Sequence, residues 1–358
     1  MSDTQEKTIF APINLTPADC GAMLRFATAA SVPVLMRGSP GIGKSDIVAQ
    51  LCKDLYGDEP DFSFDRYYRD IRLAQMDQVD LRGIAAPDLA RKLAVWLTPE
   101  FLPQDPDSEG IINWDELTSV GPEMQIVIYQ AILDHRIGEY KFPEGWRHIA
   151  CGNLDTDKAV VHKMSTALAS RFLQIWMKVD VDQWCRWALA NNVPTEIVAF
   201  VRRRPELLHQ FDPKSPDKAF PCPRTWAMAG RLFQAMGQQA PALIQRAAYA
   251  GTVGKAASIE LLSFLDMMHE VPDPRAILAN PDAINVPDRP DVLLVTMMAL
   301  ARNVDRDTFG TGLSWCGKPG VPPELQAVFV HDAIEHRPDV QQTRAFQTFA
   351  ASHSQHRL

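Results

Sequence analysis

The chain runs to 358 residues, 46% of them apolar, with 36 basic against 44 acidic side chains and a net charge of −8, enough apolar residue to fill the core of one large or two ordinary domains. That charge balance argues against a broad surface for non-specific nucleic-acid binding, which needs many cations. No uninterrupted apolar stretch is long enough to cross a bilayer and Met1 to Lys7 lacks the basic-then-apolar order of a signal peptide, so no membrane association and a cytoplasmic location are expected.

In chain order, residues 1–12 are polar and aperiodic and read as a loose tail. Thr16-Pro17-Ala18-Asp19 is a helix start with proline at the first helical position. Val32 to Met36 is a short apolar strand, followed by a glycine loop and a helix from Lys44 to about Tyr56. A second strand is predicted at Ile71 to Met76 and a third at Gly110 to Trp114, with an irregular stretch holding Pro87, Pro99, Pro103 and Pro106 between them. Gly121-Pro122 opens a helix in which Met124, Val127, Ile128, Ala131 and Ile132 recur at helical spacing. Arg136 to Trp146 reads as a hairpin, with Tyr140, Lys141 and Phe142 near its tip. Arg147 to Cys151 and Phe172 to Val179 supply a fourth and a fifth strand. Strands alternating with helices point to an α/β sheet covered on both faces, with chemistry at the strand C-terminal ends.

Beyond about Val181 the pattern is helical, at 182–191, 194–204, 223–237, 241–249, 255–269 and 291–303, then near 322–336 and 338–352. The expected division is a tail at 1–12, an α/β core at 13–180, a helical domain at 181–305 and a C-terminal helical extension of open role at 306–358. Arg202 to Arg204 before Pro205 reads as a helix end, where cations suit the dipole. Trp184, Trp187 and Trp226 read as core residues. Cys20, Cys52, Cys151, Cys185, Cys222 and Cys316 form no CxxC pair and read as buried thiols rather than a zinc or disulfide framework.

Gly38-Ser39-Pro40-Gly41-Ile42-Gly43-Lys44-Ser45 fits G-x-x-x-x-G-K-[ST], with a strand before it and a helix after it. In such a loop backbone N–H groups turn inward around phosphate oxygens and the helix N-terminus adds its positive dipole end. Lys44 then bridges the β- and γ-phosphates of ATP and the Ser45 hydroxyl holds Mg²⁺. About 70 residues on, in the order such loops require, Ile111-Ile112-Asn113-Trp114-Asp115-Glu116 resembles a Walker B strand end, with Asp115 for Mg²⁺ and Glu116 to polarise the attacking water. Asn113 and Trp114 depart from the usual aliphatic run. Asn153, after the next buried strand, resembles the sensor 1 residue. Arg171, in Ala169-Ser170-Arg171-Phe172, resembles an arginine finger. Arg224, in the first turn of a helix where the dipole disfavours a cation, resembles sensor 2.

The ordered set resembles the MoxR-type branch of AAA+ ATPases over residues 14 to 305. Gln75-Met76-Asp77-Gln78-Val79-Asp80-Leu81-Arg82-Gly83 also looks like that branch. The resemblance implies a five-stranded parallel sheet in the order 5-1-4-3-2, a small helical lid, and a homo-oligomeric, hexameric ring with ATP between subunits. It further implies chaperone-like remodelling or maturation of a protein partner, often one carrying a von Willebrand factor A-type domain, with residues 83–109 and 136–146 lining the pore. A nucleic-acid motor on the same core is the alternative, and a non-hydrolysing nucleotide-binding scaffold a weaker one.

Overall fold

Alternation of apolar side chains along the strands of the first half of the chain builds a single parallel sheet with two buried faces. The computed structural model describes residues 12–157, 162, 164–215, 217–237, 240–266 and 270–352, so the expected tail lies almost wholly outside them. The chain divides into two compact units, one reaching Asp180 and including Phe211–Ser215, the other formed by the helices from Val181 onward.

In the first unit the sheet strands are β1 (Asn14–Leu15), β2 (Val34–Arg37), β3 (Tyr68–Arg72), β6 (Glu109–Asp115), β9 (Gly145–Gly152) and β10 (Leu173–Met177). Two small ribbons hold the remaining strands, β4 (Ile84–Asp88) with β5 (Leu93–Leu97), and β7 (Arg136–Ile137) with β8 (Tyr140–Lys141). The main sheet runs β1-β10-β2-β9-β6-β3, with every neighbour parallel. The sequence predicts five strands and the sheet has six. The sixth is β1, whose two residues pair with Trp176 and Met177 at the edge and are too few to show a period.

Helices α1 (Pro17–Ala29) and α2 (Lys44–Tyr56) cover one face, where Leu24, Val48 and Leu51 meet Val34, Met36, Ile111, Ile149 and Ile175. Helix α3 (Pro122–Asp134) covers the other, packing Met124, Val127, Ile128 and Ala131 on Leu35, Ile112, Trp114 and Ala150. Helix α1 starts where the sequence reading puts it, and Thr16 caps it through a reciprocal box with Asp19.

Three features depart furthest from the sequence reading. The second sheet strand lies at Tyr68–Arg72 rather than 71–76, because Leu73–Gln75 turns and Asp77 caps a short helix with Asp80. The irregular stretch contains the β4–β5 ribbon, where Pro87 is tolerated because a two-stranded ribbon has only edges. The hairpin's aromatics are not at an exposed tip. Phe142 is 4% exposed and packs edge-on against Trp114, and the Tyr140 hydroxyl donates to Pro103 O at 2.6 Å.

In the second unit, α5 (Val181–Ala190), α6 (Thr195–Arg203), α7 (Pro223–Met236), α8 (Ala242–Val253) and α9 (Lys255–Leu265) follow a short α4 (Thr166–Ala169) that belongs to the first. Phe200 contacts the rings of both Trp226 and Phe264. Trp184 and Trp226 are buried as expected, whereas Trp187 is 47% exposed. Helices α10 (Pro274–Ala279), α11 (Pro290–Asn303), α12 (Phe309–Cys316), α13 (Pro323–His336) and α14 (Arg344–Ser352) share one core. In it Leu293, Met297 and Leu300 of α11 pack with Phe309, Trp315 and Phe329 from beyond residue 305. Arg202 of α6 meets Asp332 of α13 in a fork of two 2.9 Å bonds, with the Asp332 side chain 2% exposed. All six cysteines are buried and free.

Candidate functional site

The register aligns Arg37 of β2 with Gly152 of β9, and Trp114 of β6 with Ala150 of β9. Three strands therefore end side by side, and the segments that follow them meet. Gly38–Gly43 leaves β2 and delivers α2. Gly43 has φ 94° and caps α2 with no side-chain acceptor, a conformation that only glycine takes without strain. The first-turn N–H groups of α2 are thus left for an anion.

Lys44 folds back over the loop. Its Nζ donates to Gly38 O at 2.7 Å, Ser39 O at 3.0 Å and Asn153 Oδ1 at 3.2 Å. The Ser45 hydroxyl donates to Asp115 Oδ2 at 2.9 Å, and Asp115 Oδ1 accepts from the Glu116 N–H at 2.9 Å. Hydroxyl and carboxylate oxygens are the donors Mg²⁺ prefers, so Ser45 and Asp115 could hold that ion. Glu116 is exposed, with φ 62° and ψ 28°. A non-glycine residue in the left-handed region stores about 1–2 kcal/mol of strain, and here it turns the chain directly after Asp115.

Thr118 fixes the third segment, accepting from the Asn153 N–H at 2.8 Å. Gly152 makes this approach possible, since a Cβ there would lie 2.5 Å from the Thr118 methyl. Nothing in the sequence marks Thr118, whose importance comes from a fold contact. Arg37, at the end of β2, bonds Asp155 Oδ1 at 3.1 Å while its buried Nε has no hydrogen-bond partner among the described residues. Below Ser45 and Asp115, burial above all raises the Cys151 thiol, and the Asp115 charge adds to the effect; this thiol is inert.

A chain of rings runs under Asp115. Trp114 Nε1 donates to His148 Nδ1 at 3.1 Å, His148 Nε2 meets His135 Nδ1 at 2.9 Å, and His135 Nε2 meets Pro143 O at 3.0 Å. Since indole only donates and a carbonyl only accepts, both imidazoles are neutral, each carrying its proton on Nε2.

The structure thus brings together the Gly38–Ser45 loop, Asp115, Glu116 and Asn153. It does not bring Arg171 to them. Arg171 lies on Tyr129 of α3, with its guanidinium 5.1 Å from the ring centre and Nη2 donating to the phenol at 2.9 Å. Its Nε is buried without a hydrogen-bond partner among the described residues. Arg224 is the second residue of α7 in the helical unit, exposed and without a hydrogen-bond or ion-pair partner among the described residues.

No family model matches the chain, and no curated protein matches it by sequence. Among solved structures it is similar to NtrX from Brucella abortus in complex with ADP, at 11% identity and TM-score 0.41, over 98% of this chain and 71% of that one. A RuvB point mutant from Thermotoga maritima matches at 16% identity and TM-score 0.36, over 86% and 90%. A candidate ATPase from Cytophaga hutchinsonii matches at 11% identity and TM-score 0.35, over 97% and 91%.

Proposed function

We propose that the chain binds ATP with Mg²⁺ at the Gly38–Ser45 loop and hydrolyses it, acting as an AAA+ ATPase of MoxR type that remodels or matures a partner protein. The observation that carries this reading is the hydrogen-bonded meeting of Lys44, Ser45, Asp115 and Asn153 at three adjacent strand ends. Residues from positions this far apart in the chain, each of the type phosphoryl transfer requires, support one site rather than a structural glycine turn.

In this reading the loop N–H groups and Lys44 hold the β- and γ-phosphates. Mg²⁺, held through Ser45 and Asp115, supplies charge neutralisation. Glu116 takes a proton from the attacking water and Asn153 orients that water. Arg171 serves the site of an adjacent subunit in a homo-oligomeric, hexameric ring. Its place on Tyr129 of α3, away from the described site residues, is compatible with that role. Arg224 reaches the γ-phosphate from the helical unit, and a von Willebrand factor A-type protein is the partner class.

Lys44→Ala should abolish binding of a labelled ATP analogue, because the loop loses the charge that offsets the polyphosphate; unchanged affinity in a titration would remove the reading. ATPase rates with candidate protein partners and with single-stranded DNA separate a protein remodeller from a nucleic-acid motor.

A further inference from the structure

The strand that carries Asp115 holds a polar residue where apolar ones pack. Asn113 lies two positions before Asp115, so both project from the β6 face that α2 covers. It is 0% exposed. Its Nδ2 donates to Asp70 Oδ1 at 2.8 Å, and its own Oδ1 has no hydrogen-bond partner among the described residues. A buried amide left half-satisfied costs stability, so its presence next to the site calls for a use.

The register supplies one. Asp70 of β3 is directly opposite Asn113, and Arg72 of β3 is directly opposite Asp115. Parallel neighbours stand about 4.8 Å apart, and residues in register share a face, so Arg72 starts beside the Asp115 carboxylate. Its guanidinium turns instead along its own strand, with Nε 3.4 Å from Asp70 Oδ2. Asp70 therefore accepts from the buried Asn113 at one oxygen and meets Arg72, whose side chain is 60% exposed, at the other. In the same row burial above all raises the Tyr68 phenol, the Asp70 charge adds to it, and a hydrogen bond with the Asn113 side chain works against it.

We propose that Asp70, pinned by Asn113, is a positioning residue of the cation site: it holds Arg72 away from Asp115, so that the Asp115 carboxylate stays open to a divalent cation. An arginine paired with Asp115 would compete with Mg²⁺ for the same oxygens. The inference rests on the reading of Ser45 and Asp115 as Mg²⁺ ligands. Asp70 itself touches neither metal nor nucleotide.

The test reads Mg²⁺ rather than turnover. The full-length protein is titrated with MgCl₂ at a fixed concentration of a fluorescent ATP analogue, and the analogue's affinity is measured separately in EDTA. Asp70→Asn keeps the shape and the bond to Asn113 but releases Arg72. It should raise the half-saturating Mg²⁺ about tenfold, the effect of one opposite charge at close range, and leave the EDTA affinity unchanged. Asp70→Asn with Arg72→Gln should return the Mg²⁺ midpoint to the wild-type value. A shift that persists in the double variant, or no shift in Asp70→Asn, overturns the proposal while the site reading stands. A wild-type chain that binds the analogue with no Mg²⁺ dependence overturns the site reading, and this inference with it.

Discussion

The indole of Trp114 donates to Nδ1 of His148 at 3.1 Å, with the two rings within 5° of parallel. That bond leaves His148 no place for a second proton, and burial first, then His135 and Arg147, lowers its pKa to about 3. In the unfolded chain an imidazole titrates near 6.5. A folded pKa below the unfolded one means that stability is full above about pH 6.5 and is lost progressively as pH falls toward 3. Between pH 7 and pH 5 this single group should cost about 2 kcal/mol. Urea denaturation at the two pH values measures it. In His148→Gln, whose side-chain oxygen can still accept from Trp114, the pH-dependent part should shrink by about that amount.

On the proposed reading, Asn153 contacts Lys44 now and the attacking water later. Asn153→Ala should leave nucleotide affinity within about threefold and slow hydrolysis about a hundredfold, as loss of one oriented polar group does. Analogue titration and single-turnover hydrolysis give the two numbers. A large loss of affinity with normal turnover would make Asn153 a support for Lys44 only.

Glu116 combines a strained backbone with an exposed carboxylate that has no hydrogen-bond partner among the described residues. Glu116→Gln should keep ATP bound and block its hydrolysis, since an amide cannot accept the proton. Glu116→Gly should be equally inactive yet no less stable, or more stable by up to about 1 kcal/mol, because glycine relieves the left-handed strain. Normal turnover in either variant would exclude Glu116 as the base, and a clear drop in the melting temperature of the glycine variant would contradict the strain.

Arg171→Ala should bind ATP and assemble but hydrolyse about a thousandfold more slowly, the effect of losing an arginine finger. If Arg171 acts on a neighbour's site, coexpressing Arg171→Ala with Glu116→Gln restores activity. In a head-to-tail ring of randomly mixed subunits, about a quarter of the interfaces pair an intact Glu116 with an intact Arg171. Verified mixed rings that stay inactive, while wild-type subunits diluted into either variant remain active, would show that Arg171 does not act in trans.

The glycine loop and the acidic strand end were legible because their chemistry is local: glycines, a lysine and a serine at fixed spacing, then paired acids after a strand. The strand-helix alternation was legible for the same reason. What the sequence hid depends on contacts distant in the chain. Thr118 matters through Asn153, and Phe142 reads as an exposed aromatic until its ring meets Trp114. The β4–β5 ribbon was masked by Pro87, a residue that argues against a strand except at an edge. Asn113 stood out in sequence only as a departure from an aliphatic run, and its partner Asp70 had no signal at all.

The fork between Arg202 and Asp332 spans 130 positions and ties α6 to α13. Residue 305 is therefore no seam. A chain cut there would take from Arg202, 14% exposed, both its counter-charge Asp332 and the helix that carries it. It would also strip Phe309, Trp315 and Phe329 from the face of α11. The last helices cannot be gained or lost by recombination as a free-standing cassette, and a tag or fusion partner belongs after them rather than in their place.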